Sequence, residues 1–218
     1  MTLVFDYDGT LHNTKHLYGC AFRKAYEMLV SEGYAEPRYY SDDEVSKYLG
    51  VSAPDMWKDF MPQLPDEVWQ RASMVIGGEM IDGVLGGNAL LYDGIPEALD
   101  ALKARGCRLL MLSNCRHSYM EAHRSAVGLD RWFTDYFCAE DYNFIPKEDI
   151  FPILREKYPD TSYIMIGDRD SDFRVGTANA LPIIGCSYGF GTPSELQVCT
   201  LTVASPSELP DAVSTLSH

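Results

Sequence analysis

Apolar residues fall along the chain in two rhythms. Short runs rich in β-branched residues, with turn formers nearby, read as buried strands over Thr2–Phe5, Cys107–Leu112, Tyr136–Ala139, Tyr163–Ile166, Pro182–Cys186 and Leu201–Ala204. Helical stripes lie between them. Over Ile95–Arg105, Pro96 suits a helix start, Ala98, Leu99 and Leu102 fall on one face, and Gly106 supplies a stop. Ser118–Val127 and Ile150–Lys157 are patterned alike. From residue 90 onward strand and helix alternate, which predicts a parallel α/β sheet.

Residues 15–88 break the alternation. His16–Val30 carries Leu17, Ala21, Ala25 and Met28/Leu29 on one stripe, with Gly33 past its end. Ser41-Asp42-Asp43-Glu44 has the form of a capping box before a helix over Val45–Leu49, and Pro65–Met80 reads as a third helix. No strand is expected here. The predicted organisation is one strand, a helical insertion over 15–88, then the rest of the sheet in 89–218 together with 1–14. The glycines at Gly77-Gly78, Gly83 and Gly86-Gly87 read as a flexible return point.

Composition narrows the function classes. With 46% hydrophobic and 23% charged residues, the 218-residue chain has the make-up of a soluble globular protein. Its formal charge of −14 argues against nucleic acid or an anionic membrane as partner, since both select a basic face. Of that charge, residues 15–88 carry −5, from seven basic and twelve acidic side chains, so the acidity is spread over both parts. Cys20, Cys107, Cys115, Cys138, Cys186 and Cys199 form no C-x-x-C pair. They read as free thiols in a reducing cytoplasm, with neither a zinc site nor a disulfide framework. No segment has the apolar length of a membrane span, and none near the N-terminus has the form of a signal peptide. The histidines make no metal-binding pattern, and His117 and His123 read as helix-surface residues.

Candidate chemistry sits at strand ends. The first strand runs into Asp6-Tyr7-Asp8-Gly9-Thr10, which sends Asp6 and Asp8 the same way from its carboxyl end, where open α/β sheets bind ligands. The fourth ends in Gly167-Asp168-Arg169-Asp170-Ser171-Asp172. Acids gathered from two strand ends repel one another unless a cation lies between them, and a hard ion such as Mg²⁺ takes oxygen ligands. The second strand ends in Ser113-Asn114, whose hydroxyl and following N–H groups suit a phosphate oxygen. Lys147 is the one Lys or Arg between Arg131 and Arg155.

In that order these segments resemble the four motifs of the haloacid dehalogenase superfamily, close to its phosphoglycolate phosphatase-like branch. Asp6-Tyr7-Asp8-Gly9-Thr10-Leu11 is similar to motif one, Ser113-Asn114 to motif two, Lys147 to motif three, and Gly167-Asp168 with Asp172 to motif four. Leu91-Tyr92-Asp93-Gly94-Ile95, Val175–Ala180 and Tyr188-Gly189-Phe190-Gly191 extend the likeness over nearly the whole chain. The resemblance implies a Rossmann-like core with a small α-helical cap inserted after the first strand. It implies an Mg²⁺-dependent phosphatase acting on a small phosphorylated metabolite, as a monomer or homodimer. Asp6 would be the nucleophile that becomes an aspartyl-phosphate. Asp8 would protonate the leaving oxygen and then activate water. Mg²⁺ would be held by Asp6, Asp168 and the backbone carbonyl of Asp8. Ser113, Asn114 and Lys147 would hold phosphoryl oxygens, and Asp172 would orient Lys147 or a metal-bound water.

Two departures are visible. Lys147 is followed by Glu148 where relatives often have proline, and Asn114 by Cys115-Arg116 where many have lysine. An acid at Asp8 suits an alcohol leaving group, which favours a phosphatase or a phosphomutase of the β-phosphoglucomutase type over a dehalogenase. Gly167, standing where mutases carry an acid, favours the phosphatase. An inert binding module of the same fold is the remaining alternative, and it would have no use for a second acid at Asp8. Arg23 and Lys47 in the cap, with Arg116, are the cationic candidates for contact with substrate. The loop after Leu49-Gly50 is expected to set specificity, and the cap aromatics Phe22, Tyr26, Tyr39, Tyr40, Tyr48, Trp57 and Trp69 are expected to be core.

Overall fold

The computed structural model describes residues 1–159 and 162–217. They form two compact units, one from Met1–Asn13 with Leu90–His218 and the other from Thr14–Ala89.

The first unit is built on a sheet of six strands: β1 (Thr2–Phe5), β2 (Arg108–Ser113), β3 (Asp135–Cys138), β4 (Tyr163–Gly167), β5 (Ile183–Cys186) and β6 (Leu201–Val203). Their order is β3-β2-β1-β4-β5-β6, and every neighbouring pair is parallel. The central strands are apolar throughout because both faces are covered. On one face Val4, Leu110, Leu112, Phe137 and Met165 pack with Ile150, Phe151 and Leu154. The Rossmann order reverses between β1 and β4, and this is the point at which such sheets bind ligands.

The chain leaves and re-enters this unit through a small closed ladder. His12 bridges antiparallel to Leu91, the Asn13 N–H donates to Leu90 O at 2.9 Å, and the Tyr92 N–H donates to Leu11 O at 2.9 Å.

The second unit is helical: α1 (Lys15–Ser31), α2 (Asp42–Ser46), α3 (Ala53–Phe60) and α4 (Asp66–Gly83). The Ser41 capping box forms, with Ser41 Oγ accepting from the Glu44 N–H and Glu44 accepting from the Ser41 N–H. Helix α3 replaces the expected specificity loop. After the two residues Val51 and Ser52, Ser52 caps the Asp55 N–H, Pro54 stands in the first turn, and Met56 and Trp57 are buried. Phe22, Tyr26, Tyr48 and Trp57 are core, as expected. Tyr39, 73% exposed, is not, and lies under the Arg23 guanidinium.

The glycines read as a return point also need correction. Gly77, Gly78 and Gly83 lie inside α4, whose Val68, Ala72 and Ile76 stripe is buried. The chain turns only at Gly87, where φ is 93°. A helical glycine costs roughly 1 kcal/mol relative to alanine, too little to break a helix anchored by packing. A Cβ at Gly78 would meet nothing within 4 Å. Gly78→Ala should therefore raise unfolding stability by roughly 0.5–1 kcal/mol in urea titrations.

In the first unit, α5 (Ile95–Ala104), α6 (His117–His123), α7 (Lys147–Lys157), α8 (Asp170–Asn179) and α9 (Leu209–Thr215) accompany the strands. Helix α7 begins at Lys147, earlier than the apolar stripe from Ile150 indicated, because Pro146 leads straight into the first turn. Pro152 inside α7 cannot donate to Glu148 O, and the Asn179 side-chain amide donates there instead, at 3.4 Å. Helix α6 ends at His123 and passes into a π-helical turn over Arg124–Gly128. Among the described residues no helix is long and apolar enough to cross a membrane.

Candidate active site

Strands β1 and β4 are hydrogen-bonded neighbours, with Phe5 opposite Ile166, so Asp6 and Asp168 leave the sheet side by side. The Asp6 N–H still donates to Ile166 O at 2.9 Å. The backbone then turns at Gly9, where φ is 88° and a Cβ would collide with the Asp168 carboxylate and the Phe190 ring.

Lys147 enters from the first turn of α7. It is 2% exposed and donates to Asp6 Oδ1 at 2.6 Å and to Asp172 Oδ1 at 2.7 Å. A lysine at a helix N-terminus opposes the helix dipole, and the two carboxylates offset that cost. Asp172, in the first turn of α8, uses its other oxygen to accept from the Asp168 and Arg169 N–H groups at 3.2 and 3.1 Å. Asp168 accepts from the Thr10 hydroxyl at 3.2 Å and from the Phe190 N–H at 2.6 Å. Gly189 allows that last approach, since a Cβ there would lie 2.5 Å from the Asp168 side chain.

Oxygens of Asp6, Asp168 and Asp172 lie within 4.8 Å of one another, all three residues are buried, and Lys147 is the cation among them. The electrostatics show the strain of that arrangement. Burial, then the Asp172 charge, push Asp6 up to about 7 against the pull of Lys147. Asp168 is likewise raised, by burial and then by Asp6 and Asp172. Burial alone would lower Lys147, but Asp172 and Asp6 overcome it and hold the ammonium charged. Three carboxylates facing one ammonium are a donor set that fits a hard divalent cation.

Asp8 belongs to a different network. Its Oδ1 lies 3.1 Å from His12 Nδ1 and accepts from the Tyr119 hydroxyl at 2.9 Å. Sequence reasoning missed both partners. His12 stands four residues after Asp8, a spacing that was legible, whereas Tyr119 is delivered by α6 from far along the chain. His123 is not on a helix surface. It is fully buried, stacked edge-on against Tyr7, His12 and Tyr119, and 2.7 Å from the Tyr7 hydroxyl. Burial and the neighbouring His12 lower it to about 3, so it stays neutral beside the Tyr7 hydroxyl.

Ser113 is 2% exposed at the end of β2, and its Oγ accepts from the Cys115 N–H at 3.3 Å, while Asn114 and Arg116 are exposed. In the helical unit Arg23 is engaged by Asp42 Oδ1 at 2.7 Å and by Tyr40 O at 3.1 Å. Lys47 lies 3.5 Å from Asp59 and over the Tyr48 ring.

Carboxylates at adjacent strand ends of a doubly wound sheet, with a buried lysine bonded to one of them, make this end of the sheet the candidate active site. The chain belongs to the haloacid dehalogenase-like hydrolases, whose family model matches residues 1–178. It is 26% identical over 198 residues to the phosphoglycolate phosphatase of Agrobacterium fabrum, covering 86% of this chain and 80% of that one. It is 24% identical over 201 residues to the pyrophosphatase PpaX of Listeria monocytogenes, covering 89% and 87%. The solved structure of a predicted phosphatase from Clostridium acetobutylicum shares the fold with a TM-score of 0.84 at 23% identity, over 99% of this chain and 98% of that one.

Proposed function

We propose that this protein is a Mg²⁺-dependent phosphatase that hydrolyses a small, phosphoglycolate-like phosphate monoester through an aspartyl-phosphate on Asp6. The observation that carries the reading is the bonding of Asp6. It is a buried carboxylate held by Lys147 at 2.6 Å, beside Asp168 at the switch point of the sheet.

An Asp6 oxygen attacks phosphorus while the bond to the leaving oxygen breaks, and Asp8 gives that oxygen its proton. Water then attacks the phosphoryl group, Asp8 takes the proton back, and Asp6 and inorganic phosphate are released. The Lys147 ammonium and the Ser113 hydroxyl, with the Asn114 side chain, meet the charge that spreads over the phosphoryl oxygens. Asp172 positions Lys147 through its 2.7 Å bond. Asp6, Asp168 and the Asp8 carbonyl would hold Mg²⁺, which when bound offsets the repulsion between an anionic nucleophile and an anionic substrate. The overall charge of −14 then does not count against a phosphate ester, because lysine and cation set the local sign. The helical unit acts as the cap, and Arg23, Lys47 and Arg116 are its and the core's candidates for contact with the rest of the substrate.

Hydrolysis of p-nitrophenyl phosphate and of a panel of small phosphate esters, with and without Mg²⁺, tests this reading. Turnover above an Asp6→Asn control and dependent on Mg²⁺ is expected. Phosphate moved between sugar positions without release would indicate a mutase, and no activity on any ester would leave a binding module.

Two further results are expected. Carboxyls in the unfolded chain ionise near 3.8, but Asp6 in the folded, metal-free protein holds its proton up to about 7. Between those values the native state binds more protons than the unfolded one, so this contribution to stability is lost as pH rises towards 7. A cation takes the proton's place. The thermal shift on adding Mg²⁺ should therefore be larger at about pH 8 than at about pH 5. Equal shifts would speak against a cation at these carboxylates. Tyr119→Phe removes a 2.9 Å donor from Asp8, and kcat should drop roughly tenfold with KM nearly unchanged. An unchanged kcat would show that Asp8 does not need this bond.

A further inference from the structure

We propose that the first unit carries a second metal site, for a borderline-to-soft divalent cation such as Zn²⁺, made by Cys115, His117, Cys138 and Asp141. The topology gathers them. Cys138 ends β3 opposite Ser113, the last residue of β2. Cys115 follows two residues later, His117 opens α6, and Asp141 lies three residues past Cys138. Ligand atoms of His117, Cys138 and Asp141 lie within 4.8 Å of one another. Cys115 Sγ is 3.9 Å from Cys138 Sγ, and His117 Nδ1 is 3.3 Å from Asp141 Oδ2.

Each distance is the one a tetrahedral zinc ion imposes on its pair; Cys115 stands outside the 4.8 Å set and reaches it only through Cys138. Zinc bonds of about 2.3 Å to sulfur and about 2.0 Å to nitrogen or oxygen place two sulfurs about 3.8 Å apart, and a nitrogen and an oxygen about 3.3 Å apart. Helix capping does not account for Asp141, because the His117 N–H is already taken by Glu140 at 2.9 Å. With Nδ1 on the ion, His117 Nε2 lies 3.8 Å from Glu121, an ion-pair distance and not a hydrogen bond. Cys138 is buried, yet it lines a cavity of about 360 Å³ together with His117, which gives an ion a way in. Ligand type separates this site from the all-oxygen carboxylate cluster. Thiols select against Mg²⁺, and each thiol that binds gives up its proton to water. The spacing C-x-H followed by C-x-x-D matches no C-x-x-C template, so only the strand pairing reveals the set.

Occupancy would also be felt at the β2 end, since the Cys115 N–H donates to Ser113 Oγ. A cation pulling on Cys115 should reset this turn and slow hydrolysis. That consequence rests on the phosphatase reading, whereas the binding does not.

The test is titration of the reduced, full-length protein with Co²⁺ in excess Mg²⁺. One equivalent should give thiolate-to-cobalt charge-transfer absorption and the intense visible bands of tetrahedral cobalt, both removed by Zn²⁺. Cys138→Ser should weaken the charge-transfer band. His117→Ala, at an exposed position, should lower Co²⁺ affinity by at least about tenfold. Both variants should keep the Mg²⁺-dependent hydrolysis of p-nitrophenyl phosphate. Absence of charge transfer, or spectra unaltered by His117→Ala, would overturn the site. Inhibition by one equivalent of Zn²⁺ in the native protein, and not in His117→Ala, would support the link to Ser113. Binding without inhibition would overturn the link and leave the site standing.

Discussion

Asp6→Asn should lower phosphate-ester turnover by at least about 10⁴-fold while leaving the protein folded. The amide keeps the shape of the carboxylate but supplies no anionic oxygen to attack phosphorus. The same substitution should make the metal-free protein more stable above about pH 7. Burial and the Asp172 charge hold Asp6 up to about 7, so its ionised form is disfavoured where it stands. Removing that charge relieves the repulsion, at the cost of one charge-assisted bond from Lys147. Activity and stability moving in opposite directions separate this outcome from misfolding. The pair of measurements is turnover with Mg²⁺ present and urea unfolding after chelation. Activity within tenfold of the native protein would remove Asp6 from the nucleophile's place.

Lys147→Met should destabilise the fold by roughly 3–5 kcal/mol, the usual cost of removing one partner from a buried ion cluster. Methionine fills much of the volume, so the loss is electrostatic. Asp6 and Asp172 would face each other inside the core with no ammonium at 2.6 and 2.7 Å. The loss should shrink in acid, where carboxyl protonation substitutes for the missing charge. Turnover should also fall by about 10²–10³-fold, the effect of deleting one donor to a developing oxyanion. Denaturant unfolding at two pH values gives the first number and steady-state kinetics the second. A change under 1 kcal/mol that is indifferent to pH would mean that Lys147 is not the counter-charge for these acids.

The sheet was readable because buried parallel strands advertise themselves. Runs such as Tyr163–Gly167 are apolar without alternation and end in glycine and aspartate. The acids at those ends were readable for the same reason, since charge directly after a core strand has few places to go. The partners of these acids were harder. Tyr119, Phe190 and Thr10 act by where the fold puts them, and nothing around Tyr119 in the chain marks it as a donor to Asp8. His123 was misjudged because a histidine among polar neighbours on a short helix looks solvated. Its burial comes from Tyr7 and His12, delivered from β1's end. Helix α3 was missed because Ser52, Pro54 and Asp55 read as loop formers, although each also suits a helix start. The glycines of α4 show the reverse, a local breaker overruled by a buried stripe.

The closed ladder of Leu11–Asn13 with Leu90–Tyr92 bears on how such a protein diversifies. Both ends of the interruption are hydrogen-bonded to each other before the interruption begins. The sheet therefore does not depend on what is spliced between them, and the entropy of closing that long excursion is met at its base. The position behaves as a socket. A different helical module, or a short turn, can be exchanged there by recombination without re-registering any strand, so selection can replace whatever occupies it while leaving the carboxylates untouched.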